Sequence, residues 1–333
     1  MSSDGYPCFN PTPMLQLDAE ALAARLDRRA LIDALEQAFR TPAVVPDRQH
    51  YEIPSSNPAQ RAGTLLVMPA WRVGAALGIK LVTIYPDNAL RSLPAVAATY
   101  VLLDAETGRP KALLDGGELT LRRTGAASAL AARFLCAPEA SRLVMVGTGR
   151  LAPHLIESHA LVRPIRKIRI WGRNALHARS LARSLERPGW VVDATDDLEG
   201  AVRWAHVVSC ATLSHEALVL GSWLAPGQHL DLVGAFTPDM CEADDAALAR
   251  SELFVDTLQG AMSESGEIIG AIRRGAIDAS SVRGELSDLV SGRAARSHPS
   301  AVTLFKSVGT ALEDLVAAEL AVDAAVIGDP PRS

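Results

Sequence analysis

Arg142-Leu143-Val144-Met145-Val146-Gly147-Thr148-Gly149-Arg150-Leu151-Ala152 is the stretch that decides the fold. Its apolar run reads as a short buried strand, and the glycines that follow end it abruptly. Gly147-x-Gly149-x-x-Ala152 is the G-x-G-x-x-A form of the dinucleotide fingerprint. The first glycine permits a tight turn, the second lets the backbone approach a pyrophosphate, and the small third residue lets helix and strand pack closely. Amides near Arg150 and Leu151, at the start of a helix predicted over 152–162, would meet the phosphates. Thr148 lies between the two glycines. Such a motif alone is weak, and its place between a strand and a helix is what sets it apart from a chance glycine-rich turn.

Working outward, strands are predicted at 167–171, 190–194, 206–210, 228–233 and 252–256, with helices at 175–186 and 198–204. This alternation indicates an α/β domain with a parallel sheet covered by helices on both faces. A strong helix is predicted over 120–135. Residues 17–39 read as a pair of amphipathic helices, and residues 40–62 as a Pro-, Ser- and Asn-rich loop. The region after that loop is mostly β, with strands at 64–68, 77–84 and 99–103 and a hairpin through 104–108 to 111–114. A last long helix is expected over 303–322. At the end of the second strand of the parallel domain stands Trp171-Gly172-Arg173-Asn174, with no acid for a ribose 2′-hydroxyl. Arg173 offers a guanidinium to a 2′-phosphate, which favours NADPH over NADH. The competing reading is a solvated surface arginine.

A length of 333 residues implies about two domains. Hydrophobic residues at 48% and charged residues at 21% fit a globular protein. The net charge of −5 argues against nucleic acid or an anionic membrane as the main partner. Four scattered cysteines without a Cys-x-x-Cys pair suggest neither a disulfide framework nor a zinc site. The histidines form no metal pattern, and His154 and His159 read as solvated or capping. Glu264 and Glu267 read as part of a surface turn. The amino-terminal residues lack the features of a signal peptide and no apolar run reaches a membrane span, so a cytoplasmic location is expected.

Five segments carry a wider resemblance: Met68-Pro69-Ala70-Trp71, Gly78-Ile79-Lys80-Leu81-Val82, Leu119 to Ser128, Asp231 to Met240, and Leu304-Phe305-Lys306-Ser307-Val308-Gly309. Over roughly residues 17–325 the chain resembles the ornithine cyclodeaminase/mu-crystallin family. The resemblance implies a homodimer and a division into two domains. A Rossmann NAD(P)-binding domain, residues 123–302, would be inserted into an α+β substrate-binding and dimerisation domain, residues 1–122 and 303–333. It also implies hydride transfer between a nicotinamide and an imine beside a carboxylate.

Arg48, Lys80 and Arg123 match family positions that hold the substrate or the reaction centre, and a carboxylate calls for such cations. Lys80 lies inside an apolar strand, where an unpaired ammonium is costly; its alternative is an edge position facing solvent. Arg48 has a loop residue as its alternative. Arg123 has a helix-cap or ion-pair role, with Arg122 beside it the more structural of the two. For the cofactor the resemblance adds Arg123, Thr124 and Thr212 to the fingerprint residues and to Arg173 and Asn174. It also adds Val233, Phe236 and Ser307 on the cofactor side and Val308 at the substrate. Each has a plain packing alternative.

The departures from the family pattern are informative. Ornithine cyclodeaminases carry an aspartate where Phe236 stands and an acid near Leu66; neither residue here transfers protons. Asp239 could partly substitute, or could serve only a turn. The run 232–240 looks most like the Δ1-pyrroline-2-carboxylate (cyclic ketimine) reductase branch. That branch implies reduction of a cyclic imino acid by NADPH, or by NADH, giving L-proline, or L-pipecolate from the six-membered homologue. The alternatives are an ornithine cyclodeaminase, an alanine-dehydrogenase-like amino-acid oxidoreductase, and an NADPH-binding crystallin-like protein without turnover.

Overall fold

The computed structural model describes residues 14–57 and 60–328, and its strands form two sheets. Their contacts divide the chain into two units. Within the described residues the first comprises the segment ending at Arg25, Ala43–Leu119 and the segment from Ala318; the second comprises Leu26–Pro42 and Thr120–Ala317.

The first unit holds β1 (Leu15–Leu17), β2 (Gln49–Ile53), β3 (Gly63–Arg72), β4 (Ala76–Ile84), β5 (Val96–Leu103) and β6 (Pro110–Asp115), in the order β1-β6-β5-β4-β3-β2. Apart from the parallel pair of β1 and β6, neighbours run antiparallel. Side chains alternate as the pleat requires. Ala76, Gly78, Lys80 and Val82 of β4 are buried, while Leu77, Ile79 and Leu81 on the other face are not. In the β5–β6 turn the Asp104 carboxylate accepts from the Thr107 amide and hydroxyl, and Gly108 takes a φ of +70°. The expected loop over 40–62 contains β2. Gln49, His50, Tyr51 and Glu52 are all exposed on this edge strand, so no apolar alternation announces it.

The second unit is a doubly wound α/β fold. Its strands are β7 (Arg142–Val146), β8 (Lys167–Trp171), β9 (Val191–Thr195), β10 (Val207–Cys210), β11 (His229–Leu232), β12 (Glu252–Val255), β13 (Val282–Glu285) and β14 (Thr303–Lys306). They form one parallel sheet in the order β13-β12-β14-β11-β10-β7-β8-β9. Leu143 and Met145 of β7 enter one core with Leu155 and Ile156 of the helix Leu151–Val162. Val144 and Val146 enter another with Val202, Leu248 and Ile268 on the opposite face. The strand order reverses between β7 and β10, the crevice where open α/β sheets bind ligands.

Three expectations are corrected in this unit. Residues 303–306, expected to open the last helix and assigned to the first domain, form β14 between β11 and β12. All four are fully buried, and the helix Ala311–Gly328 starts only after Gly309, whose φ is +84°. The expected division therefore shifts, with residues 303–317 packing in the second unit. His159, expected to be solvated or capping, is fully buried, its Nε2 3.0 Å from Asp231 Oδ2. Glu267 is buried rather than in a surface turn, because its helix Gly266–Arg273 packs inward.

His229 on β11 gives the unit a pH signature. Its Nδ1 is 2.9 Å from Thr303 Oγ1, and burial pulls its pKa down to about 3 from 6.5, with Asp231 opposing and nearby cations reinforcing. The folded value lies below the unfolded one. Stability from neutral His229 is thus full above pH 6.5 and lost as pH falls from 6.5 towards 3. Denaturant unfolding at pH 7 and pH 5 should show His229→Gln losing less stability on acidification than the parent. An equal loss in both would contradict this.

Among the described residues no helix is long and apolar enough to cross a membrane.

Candidate functional site

Between β7 and β10 the chain builds a phosphate cradle. Gly147 has a φ of +123°, and a Cβ there would sit 2.5 Å from the Ala211 carbonyl oxygen. Only glycine satisfies both the turn and the approach of the loop after β10. A Cβ on Gly149 would meet nothing within 4 Å, so the second glycine faces open space. Ala152 is fully buried against the sheet. Arg150 precedes the helix Leu151–Val162 without making a side-chain cap, and the Ala152 amide donates back to the Gly149 carbonyl at 3.0 Å, so no side chain covers the helix start that faces the turn. Thr148 packs on Gly172, where a Cβ would come within 2.7 Å of its Cγ2. Arg173 is exposed just past β8. Asn174 beside it has a structural task, its Oδ1 accepting from the Leu176 amide at 2.9 Å to cap the helix Ala175–Ser184. These residues fit a dinucleotide.

The loops that follow β10, β11 and β14 carry the other expected cofactor residues. Thr212 is half-buried, and both its amide and its hydroxyl donate to Glu242 Oε1, at 2.6 and 2.8 Å. Val233 is buried, its amide donating to the Cys210 carbonyl, and Phe236 is half-buried three residues on. Ser307 and Val308 lie in the loop after β14, not at a helix start. Asp256 gathers that loop, accepting from the Ser307 hydroxyl at 3.0 Å and from the amides of Val308 and Gly309 at 2.8 and 2.6 Å.

Arg123 sits mid-helix in Gly116–Leu135 rather than at its start, which removes the cap alternative. Its Nη1 meets Glu313 at 2.7 Å and its Nε meets Asp314 at 3.1 Å, all three residues buried. The ion-pair role is therefore present. Burial pushes the Glu313 carboxyl up to about 7, with Arg123 opposing. Gly309 makes room for the guanidinium, since a Cβ there would lie 2.6 Å from Nη1. Thr124, the next residue, is buried. Arg122 donates to the Leu26 carbonyl at 2.8 Å, the structural role expected of it.

In the first unit Lys80 is 2% exposed and lies on β4, which is paired on both sides by β3 and β5. It is not an edge residue. Its cross-strand neighbours are Met68 and Tyr100, and Leu66 on β3 is also buried. Arg48 is half-buried and lies in the irregular segment directly before β2, so the loop placement stands. Asp239 is exposed, its carboxylate 3.3 Å from His215 Nδ1 and accepting from the Thr237 hydroxyl. Sequence reasoning missed Glu242, Asp256 and the buried role of Glu267. A lone acid carries no mark of burial; the one available hint was Glu267 preceding the apolar pair Ile268-Ile269.

The fold and the cradle together define a dinucleotide-binding protein of the Rossmann class with a second, largely antiparallel unit. The chain belongs to the ornithine cyclodeaminase/mu-crystallin family, whose pattern matches residues 13–328. It is 36% identical over 296 residues to a Δ1-pyrroline-2-carboxylate reductase of Paracoccus denitrificans, covering 88% of this chain and 92% of the relative. The solved Δ1-pyrroline-2-carboxylate reductase of Thermococcus litoralis, in complex with NADH and L-proline, superposes with a TM-score of 0.88. It is 32% identical, over 94% of this chain and 98% of its own. An archaeal alanine dehydrogenase dimer with bound NAD reaches a TM-score of 0.87 at 27% identity, covering 94% and 96% of the two chains.

Proposed function

We propose that this protein is a nicotinamide-dependent oxidoreductase that reduces a cyclic imino acid, Δ1-pyrroline-2-carboxylate or its six-membered homologue, with NADPH as the preferred donor. The loop after β11 carries the reading. It offers Phe236 where a cyclodeaminase has an aspartate, while its acid Asp239 is turned to His215 at the surface. With Leu66 apolar as well, this reading assigns neither position a carboxylate for the proton transfers of deamination. Reduction of a preformed imine needs fewer. The match to the two reductases supports the same choice.

A bound nicotinamide supplies the hydride for the imine carbon. In this reading the residues of the chain do the rest. The Gly147–Leu151 turn holds the diphosphate, and Arg173 meets the 2′-phosphate. Thr212, Val233, Phe236 and Ser307 bound the nicotinamide, with Phe236 an apolar wall for the ring methylenes. Arg48 and Arg123 bind the substrate carboxylate, and Arg123 brings an Nη2 that makes no hydrogen bond among the described residues. Lys80 hydrogen-bonds near the imine and orients it. Electrostatic positioning, not covalent chemistry, carries the rate.

The first unit is assigned substrate binding and dimerisation. The sheet face opposite Lys80 leaves Leu65, Val67, Ile79, Leu81 and Val101 incompletely buried, which supports pairing with a second copy. A light-scattering mass of one chain would contradict that pairing.

The function is tested by following NADPH oxidation with Δ1-pyrroline-2-carboxylate, with its six-membered analogue, and with pyruvate plus ammonia. A parallel reaction takes ornithine and NAD. Fast turnover of a cyclic imine is expected. Ammonia release from ornithine, or faster turnover of pyruvate with ammonia, would overturn the reading in favour of a cyclodeaminase or an alanine dehydrogenase.

A further inference from the structure

A set of buried charges lies behind the loops after β10 and β11 without belonging to the fingerprint or to the expected substrate cations. Glu242 is fully buried between the two loops. Its Oε1 accepts from the Thr212 amide and hydroxyl at 2.6 and 2.8 Å. Its Oε2 accepts from the amides of Gly234 and Ala235 at 2.8 and 3.3 Å. The loops are in close contact here, since a Cβ on Gly234 would collide with the Thr212 backbone. Lys306 holds the second loop from its other polarity, its Nζ donating to the Ala235 carbonyl at 2.6 Å. Glu267 completes the set. Its Oε2 pairs with Lys306 Nζ at 3.1 Å, and its Oε1 accepts from the Glu242 amide at 3.0 Å.

A buried carboxylate is costly unless its oxygens are satisfied, and Glu242 spends both on donors from two loops that are not adjacent in sequence. A simple core filler would be apolar at no such cost. What the carboxylate adds is geometry. It sets the spacing of Thr212 relative to Gly234 and Ala235, and through them the placement of Val233 and Phe236. We propose that Glu242, anchored by Glu267 and Lys306, is a positioning residue that shapes the nicotinamide half of the dinucleotide site. This rests on the reading of Thr212, Val233 and Phe236 as cofactor residues. The adenosine half, Gly147–Leu151 and Arg173, abuts this set at Gly147, which faces Ala211 and the Thr212 side chain, and its phosphate-facing turn is expected to keep its placement when Glu242 changes.

Glu242→Gln separates the two halves. The amide oxygen can still serve one loop, but its NH2 group faces donors from the other, and two donors repel. In the full-length protein, fluorescence titration with NADPH and with 2′-phospho-ADP-ribose, which lacks the nicotinamide, reads each half. Expected is about tenfold weaker binding of NADPH, with the fragment within about twofold of the parent, since a buried donor left unsatisfied costs that order of affinity. Equal weakening of both ligands would show a general structural role and overturn the proposal, as would no change in either. Parent protein that binds neither ligand would overturn the cofactor reading itself, a different failure. If the glutamine variant does not fold, Glu242→Asp keeps the charge but is one methylene too short to reach both loops. The same selective loss of NADPH is then expected, and its absence counts against the proposal.

Discussion

Lys80→Met is expected to lower kcat/KM for imine reduction by about two to four orders of magnitude, the range over which a positioned polar or charged group contributes to a reacting centre. Lys80 is the natural target because it is 2% exposed on a strand paired on both sides, among the inward residues Gly78 and Val82. Methionine keeps the length and most of the volume while removing the charge, so folding should persist. The dinucleotide loops lie in the other unit, and NADPH affinity should stay within about twofold. Retained turnover would remove Lys80 from the reaction. Parallel loss of turnover and NADPH binding would mean that the substitution acts on folding.

The second large effect concerns cofactor choice. Arg173→Asp should lower the ratio of kcat/KM with NADPH to that with NADH by about ten- to a hundredfold. That matches the roughly 1.5–3 kcal/mol of a hydrogen bond to a charged group. Arg173 is exposed at the end of β8, so the exchange should leave the core untouched. The aspartate also places an acid where a ribose 2′-hydroxyl would be read. An unchanged ratio would separate cofactor preference from this side chain. Arg150, exposed at the start of the neighbouring helix, would be the next cation to test.

The legible parts of the fold were those where burial leaves a mark in composition. β7 appears at its expected limits because a strand covered on both faces is an apolar run, and β8 because its buried Ile168 and Ile170 alternate with Lys167 and Arg169. β14 was hidden because Thr303 and Lys306 are polar and their partners, His229 and the Ala235 carbonyl, lie about 70 residues away. β2 was hidden for the opposite reason, being exposed on both faces. At the site, the fingerprint glycines could be assigned from local geometry, and Lys80 stood out as a charge within an apolar strand. Glu242, Asp256 and Glu267 could not be. Each acts by collecting donors from residues distant in sequence, and apart from the apolar pair after Glu267 nothing next to these acids in the chain tells whether they end in solvent or under a sheet.

The central claim, hydride delivery to an imine carbon beside a carboxylate, is tested most directly with NADPH carrying two deuterium atoms at C4. Incubated with the protein and Δ1-pyrroline-2-carboxylate, it should yield L-proline with one deuterium on the carbon between nitrogen and carboxylate, with one NADPH consumed per proline formed. Unlabelled proline, or no labelled product from this imine or from its six-membered homologue while NADPH is bound, would contradict the account.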